Sequence, residues 1–149
     1  MQPLRQVVRQ ALWASGMGAA VLLAVGCAQK SSSAPSGANV ILNGNQEVPP
    51  VSTAATGSGT ITVLMDRSVF GSVTTSGVAG TAAHIHLGAP GQNGPVIIPL
   101  NRTADNTWSV PASIRLNDTQ YEAFRLGNLY VNVHSVANPG GEIRGQVMP

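Results

Sequence analysis

Cysteine is almost absent: the 149 residues include one. A single thiol cannot close an intrachain disulfide, so a cystine-stapled scaffold is excluded and packing must hold the fold. Aromatic residues are scarce at 4%, and charged residues make up only 9%. Too few of either remain to build a basic patch for phosphates or a platform of rings for bases, which argues against a nucleic-acid partner. A nucleophile elbow, a phosphate-cradling loop and a paired set of acid–base carboxylates are also missing, so a hydrolase is disfavoured. The length suits one domain of ordinary size.

What is present begins with a targeting pattern. Arg5 and Arg9 lie in a short polar stretch, and residues 11–25 form an apolar, small-residue run. That run is short for a membrane span and fits an export signal. It ends in Leu23-Ala24-Val25-Gly26-Cys27, which resembles a bacterial lipobox. The resemblance implies a signal peptide over residues 1–26 and lipidation of Cys27. It also implies a membrane-anchored protein of the cell envelope, sorted to the outer membrane because Ala28 stands where an inner-membrane retention signal has Asp. Residues 27–37 are rich in Ser, Ala, Pro and Gly and read as a flexible tether, with the folded domain over residues 38–149. The formal charge of +2 does not survive processing, since losing Arg5 and Arg9 leaves six basic and six acidic residues.

The domain reads as all-β. Short runs of Thr and branched residues recur at Val40–Leu42, Gly59–Met65, Val69–Thr75, Thr81–Leu87, Val96–Leu100, Thr107–Val110, Leu129–His134 and Glu142–Met148. Turn-forming residues separate them, a spacing that suits a sandwich or barrel. One short helix is expected near residues 118–126. Asn117 or Asp118 can cap it, Gln120 stands at capping-box distance from Asn117, and Gly127 suits its stop. Gln46-Glu47-Val48-Pro49-Pro50 reads as an edge-strand bend, because proline lacks the ladder donor.

Strand parity then sorts side chains into faces. His84 and His86 share a face opposite Ala83, Ile85 and Leu87. Tyr130, Asn132 and His134 lie opposite Val131 and Val133. Glu142, Arg144 and Gln146 lie opposite Ile143, Gly145 and Val147. A sandwich buries its apolar sides, so all three histidines are expected on outward faces, with the loop after Gly88 covering or flanking the region of His134, Glu142 and Arg144. Tyr130 and Asn132 read as packing and hydrogen-bonding residues.

Four separated motifs resemble those of the CHRD (chordin) domain family. They are Leu42-Asn43-Gly44-Asn45-Gln46-Glu47-Val48-Pro49-Pro50-Val51, Ala83-His84-Ile85-His86-Leu87-Gly88 with Asn93-Gly94-Pro95-Val96, Tyr130-Val131-Asn132-Val133-His134-Ser135, and Asn138-Pro139-Gly140-Gly141-Glu142-Ile143-Arg144-Gly145-Gln146. The resemblance implies an immunoglobulin-like, Greek-key antiparallel β-sandwich of secreted and surface proteins, with no single biochemical activity. The paired histidines, the Val133-His134 step and the glycine-rich approach to Arg144 are also similar to features of copper/zinc superoxide dismutases. There the arginine attracts the anion. The chain departs from that family in lacking a fourth histidine, a zinc-binding histidine loop and a structural disulfide, so the similarity implies a copper-only arrangement.

Three imidazoles suit copper, and zinc with three histidines and water is also chemically sound. The candidate metal ligands are therefore His84, His86 and His134, with Asn132 and Glu142 as supporting groups. Arg144 is the candidate guide for an anion. Two function classes stand at this point. One is a lipid-anchored copper protein with superoxide dismutase-like activity. The other is a non-catalytic surface module for adhesion, binding a surface protein or polymer, in which the histidines only hydrogen-bond to loops.

Overall fold

The computed structural model describes residues 37–149, so the signal segment, most of the tether and Cys27 lie outside the described residues. Among the described residues nine strands follow one another: β1 (Ala38–Asn43), β2 (Thr56–Val63), β3 (Val69–Ser76), β4 (Gly80–Leu87), β5 (Val96–Pro99), β6 (Asn101–Ala104), β7 (Thr107–Ser109), β8 (Leu129–Ser135) and β9 (Ile143–Val147). One helix, α1 (Asp118–Arg125), crosses between β7 and β8, and a single 3-10 turn, Gly44–Gln46, follows β1. The fold is all-β and antiparallel with one short helix, as expected.

The strands form one hydrogen-bonded sheet in the order β5-β4-β8-β9-β1-β2-β3-β7-β6. Its seam is thin: β1 and β9 are joined by the single residue pair Asn43–Arg144. On either side the two halves face each other across one core. Trp108 of β7 fills the space over Gly80 of β4, where an added Cβ would lie 2.8 Å from the indole and 3.1 Å from Val133. The core holds Val40, Leu42, Ile61, Val73, Ile85, Trp108, Val131, Val133, Ile143 and Val147. These are the apolar positions of the alternating strands, so packing follows directly from parity. The layers of the sandwich are thus halves of a single sheet. β6 escaped the sequence reading because all four of its residues are exposed and leave no alternation to detect.

The helix forms where local chemistry favours it. The Gln120 backbone N–H donates to Asn117 Oδ1 at 2.8 Å, and the Asn117 N–H donates to Gln120 Oε1 at 3.0 Å. Two orphan donors of the first turn are satisfied reciprocally. Gly127 ends the helix at φ +70, a left-handed conformation that glycine adopts without a side-chain clash. Replacing Asn117 by Ala removes the cap and leaves the core untouched. Urea unfolding is expected to show a loss of about 1 kcal/mol.

Candidate metal centre

Register assembles the site. Across β4 and β8, His84 pairs with Asn132, His86 with Tyr130 and Ala82 with His134. Across β8 and β9, Asn132 pairs with Arg144 and Tyr130 with Gln146. Residues opposed in an antiparallel pair share a face. His84, His86, Tyr130, Asn132, His134, Arg144 and Gln146 therefore stand together on the side away from the core.

That side is not open to solvent, which corrects the expectation that all three histidines lie on outward faces. His86 is 8% exposed and Arg144 1%, while His84 and His134 are half-buried. Two connecting segments, residues 44–51 and 88–95, roof the polar face. Arg144 Nη2 donates to the carbonyls of Ala89 at 3.1 Å and Gln92 at 2.9 Å. Gln146 Nε2 donates to Gly88 O, and the Gly94 N–H donates to the Tyr130 hydroxyl. Asn93 Nδ2 ties one roof segment to the other through Val48 O at 2.7 Å. Parity assigned these side chains to the correct face, and the loop after Gly88 covers it as expected; the segment over residues 44–51 joins it there with no periodicity for a sequence to reveal.

The histidine cluster sits under the roof edge. His84 Nδ1 and His134 Nε2 are 3.0 Å apart, and the potential ligand atoms of all three rings lie within 4.8 Å of one another. His86 Nδ1 lies 2.9 Å from Gly94 O, and His134 Nδ1 lies 2.9 Å from Pro139 O. A carbonyl oxygen can only accept, so both Nδ1 atoms carry the proton and both Nε2 atoms carry a lone pair. His86 Nε2 is buried and has no hydrogen-bond partner. A buried acceptor without a partner is costly, and an electrophile at that point would relieve it. The donor set thus fits a metal ion.

Burial keeps the rings in the metal-ready state. His84 is held below the usual imidazole range by desolvation, and then by the neighbouring His134 and His86. His86 is also lowered, chiefly by desolvation, although the Gly94 carbonyl and Asn132 oppose the shift. Both are neutral at neutral pH, the form that ligates.

The other sequence-selected residues are placed differently from one another. Asn132 lies beside His86, with its Oδ1 buried and unpartnered. Glu142 turns away from the rings: its Oε1 accepts from Thr53 Oγ1 at 2.9 Å. Hydrogen bonds from Ser135, Thr53 and Asn138 hold its carboxyl below the usual range. It thereby braces the connection whose Pro139 carbonyl orients His134. Arg144, expected as an outward guide, is buried with its guanidinium 3.4 Å from the Tyr130 ring centroid. Tyr130 stacks on His86 at 4.7 Å, with the rings 8° from parallel.

Glu47 is the residue that sequence reasoning could not place. The structure buries it to 5% exposure beside Arg144, against Gly141. Gly141 is glycine for a steric reason: at φ +135 an added Cβ would stand 2.5 Å from Glu47 Oε1. Burial pushes the Glu47 carboxyl up to about 7, although Arg144 and the Val48 backbone pull it down.

An all-β sandwich carrying a histidine cluster on its roofed polar face is the class of protein that this geometry defines. The chain belongs to the CHRD domain family, whose family model matches residues 38–147. Among curated proteins and among solved structures, nothing matches it.

The raised Glu47 value makes stability depend on pH. The folded state holds the proton more tightly than the unfolded chain, so stability falls as pH rises from about 4.5 to about 7, and levels off above. Glu47→Gln removes that loss. Urea unfolding between pH 5 and 8 is expected to show the variant gaining on wild type toward pH 8, by up to about 3 kcal/mol. Parallel curves for the two proteins would mean that Glu47 does not titrate in this window.

Proposed function

We propose that this protein is a lipid-anchored component of the cell envelope that binds copper through His84, His86 and His134 and has superoxide dismutase-like activity. One observation carries the copper reading: three imidazoles converge, and two have their outer nitrogen committed to a backbone carbonyl. His86 Nε2 and His134 Nε2 would hold the ion together with a ring nitrogen of His84. His84 donates its single proton to His134 in the metal-free form, since His134 Nε2 is the acceptor. Moving that proton to His84 Nε2 frees Nδ1 without any change of charge. Imidazole suits copper, which also tops the divalent affinity order; zinc fits the same ligands less selectively. Bound copper would supply one-electron exchange between its two oxidation states.

The chain's own residues support this use. Gly94 and Pro139 fix two rings in a ligating orientation, as hydrogen-bonded outer nitrogens do in metal sites. The roof excludes bulk water from His86, while the partial exposure of His84 and His134 leaves a small diatomic anion a way in. Membrane anchoring rests on Cys27 and the apolar run before it. The same carbonyl bonds favour a second reading, in which the histidines merely pin loops in a non-catalytic adhesion module with a surface protein or polymer as partner.

Calorimetric titration of the full-length protein with Cu(II) separates the two. One tight equivalent is expected for wild type, with affinity at least tenfold weaker in His86→Ala. Copper-loaded wild type is expected to consume superoxide, and His134→Ala to lose that activity. Equal, weak copper binding by wild type and variant would leave only the loop-pinning role. For the anchor, Cys27→Ser is expected to shift the protein from the membrane fraction to the soluble one, and an unchanged distribution would refute lipidation.

A further inference from the structure

A stack leads from the histidine cluster to Arg144, on which the buried carboxylate of Glu47 acts. His86 lies face to face with Tyr130, and the Arg144 guanidinium lies over the same tyrosine. The strand order β4-β8-β9 puts His86 on one flank of Tyr130 and Arg144 on the other. Glu47, which lines a cavity together with Arg144, acts on the guanidinium through its charge. The array is held at each level: Tyr130 by the Gly94 amide, Arg144 by two roof carbonyls, Glu47 by its close fit on Gly141. It is also buried, and away from bulk solvent a fixed charge two ring spacings away is felt strongly.

We propose that Arg144, held against His86 through the Tyr130 ring, sets the reduction potential of a copper ion bound by the three histidines, and that Glu47 couples that potential to pH. This rests on the copper reading above. The physical argument is one of charge. Reduction of Cu(II) to Cu(I) takes up one electron and lowers the charge of the site by one. A buried guanidinium nearby disfavours the more positive state, so it raises the potential. An ionised Glu47 cancels part of that field, and a protonated Glu47 does not. Reduction is therefore accompanied by uptake of a proton at Glu47. Arg144, Tyr130 and Glu47 are positioning residues, since none of them offers the metal a ligand atom.

The surroundings of Glu47 allow this coupling. Arg144 of β9 is the charged group that acts on it among the described residues. The connection between β8 and β9 packs Gly141 on the carboxyl, and the adjoining Glu142 is engaged with Thr53. Of the roof, the segment over residues 88–95 contributes only the uncharged Pro90, Gly91 and Asn93, and the neighbours of Glu47 on its own segment are uncharged as well. Glu47 lines two cavities of about 370 and 320 Å³, neither of which is lined by a histidine. A proton can thus reach Glu47 from solvent without crossing the metal ligands. The carboxyl's displacement to about 7 puts its change of charge inside the range where an envelope protein works.

Redox titration of copper-loaded, detergent-purified full-length protein tests the proposal, with dithionite supplying the electron and ferricyanide removing it. The wild-type midpoint is expected to fall between pH 6 and pH 8. The Cu(I)-to-Cu(II) affinity ratio is expected to change about tenfold over that range, which is about 59 mV for one electron. Glu47→Gln is expected to abolish the slope and hold the potential at the wild-type value of pH 6. Arg144→Gln is expected to lower the potential at pH 6 by a similar amount. A wild-type slope retained in Glu47→Gln would overturn the coupling. An unchanged potential in a folded Arg144→Gln would overturn the role of the guanidinium, and if that variant does not fold, the Glu47→Gln slope decides. Copper that fails to bind stoichiometrically, or whose Cu(II) electron paramagnetic resonance lacks nitrogen hyperfine structure, would sink the copper reading itself and is thus told apart.

Discussion

The polar face of this sandwich depends on a single buried cation. Arg144 has almost no contact with solvent, yet among the described residues no carboxylate lies in ion-pair contact with it. Moving a guanidinium out of water is costly, and three kinds of interaction offset that cost here. Two roof carbonyls accept from Nη2, the Tyr130 ring lies beneath the charge, and Glu47 adds a longer-range attraction. Arginine serves because its planar, weakly hydrated head can stack and donate in several directions at once. Without it the segment over residues 88–95 would lose its main attachment to the sheet, and with it the Gly94 carbonyl that orients His86.

The metal centre is thus a product of the roof as much as of the strands. β4 and β8 bring three rings to one place, but strands alone leave each ring free to turn and to choose either tautomer. Gly94 and Pro139, both in connections, remove that freedom. The same covering strips water from His86, lowers its basicity and leaves one of its nitrogens without a partner. A rigid, desolvated, unpartnered donor set is what a metal ligand requires before the metal arrives.

Much of this was legible beforehand, and the reason is periodicity. Alternation along Ala83–Leu87, Leu129–His134 and Ile143–Val147 separates core from polar face without any knowledge of the partner strand. The Asn117–Gln120 pair is likewise local, and the helix begins where those two residues say it must. Failure came where no period exists. β6 has no buried side, and Glu47 sits in an aperiodic bend, the half of the roof that the sequence did not place. The outward position assigned to the histidines was right about the face and wrong about its exposure, because parity says which side a residue takes and nothing about what later covers that side.

By itself the sequence determined the strand pattern, the faces, the single helix and the three histidines that share a face, since each follows from spacing within a few residues. Family membership is also carried by short motifs in order along the chain. Only the tertiary structure decided the convergence of the rings, the burial of Arg144 and Glu47, and the stack that joins them. Those depend on register between strands far apart in the chain, and on loops that find their places through hydrogen bonds to a buried guanidinium. Such contacts are fixed by the closing of long loops around a common core. No window of neighbouring residues records them.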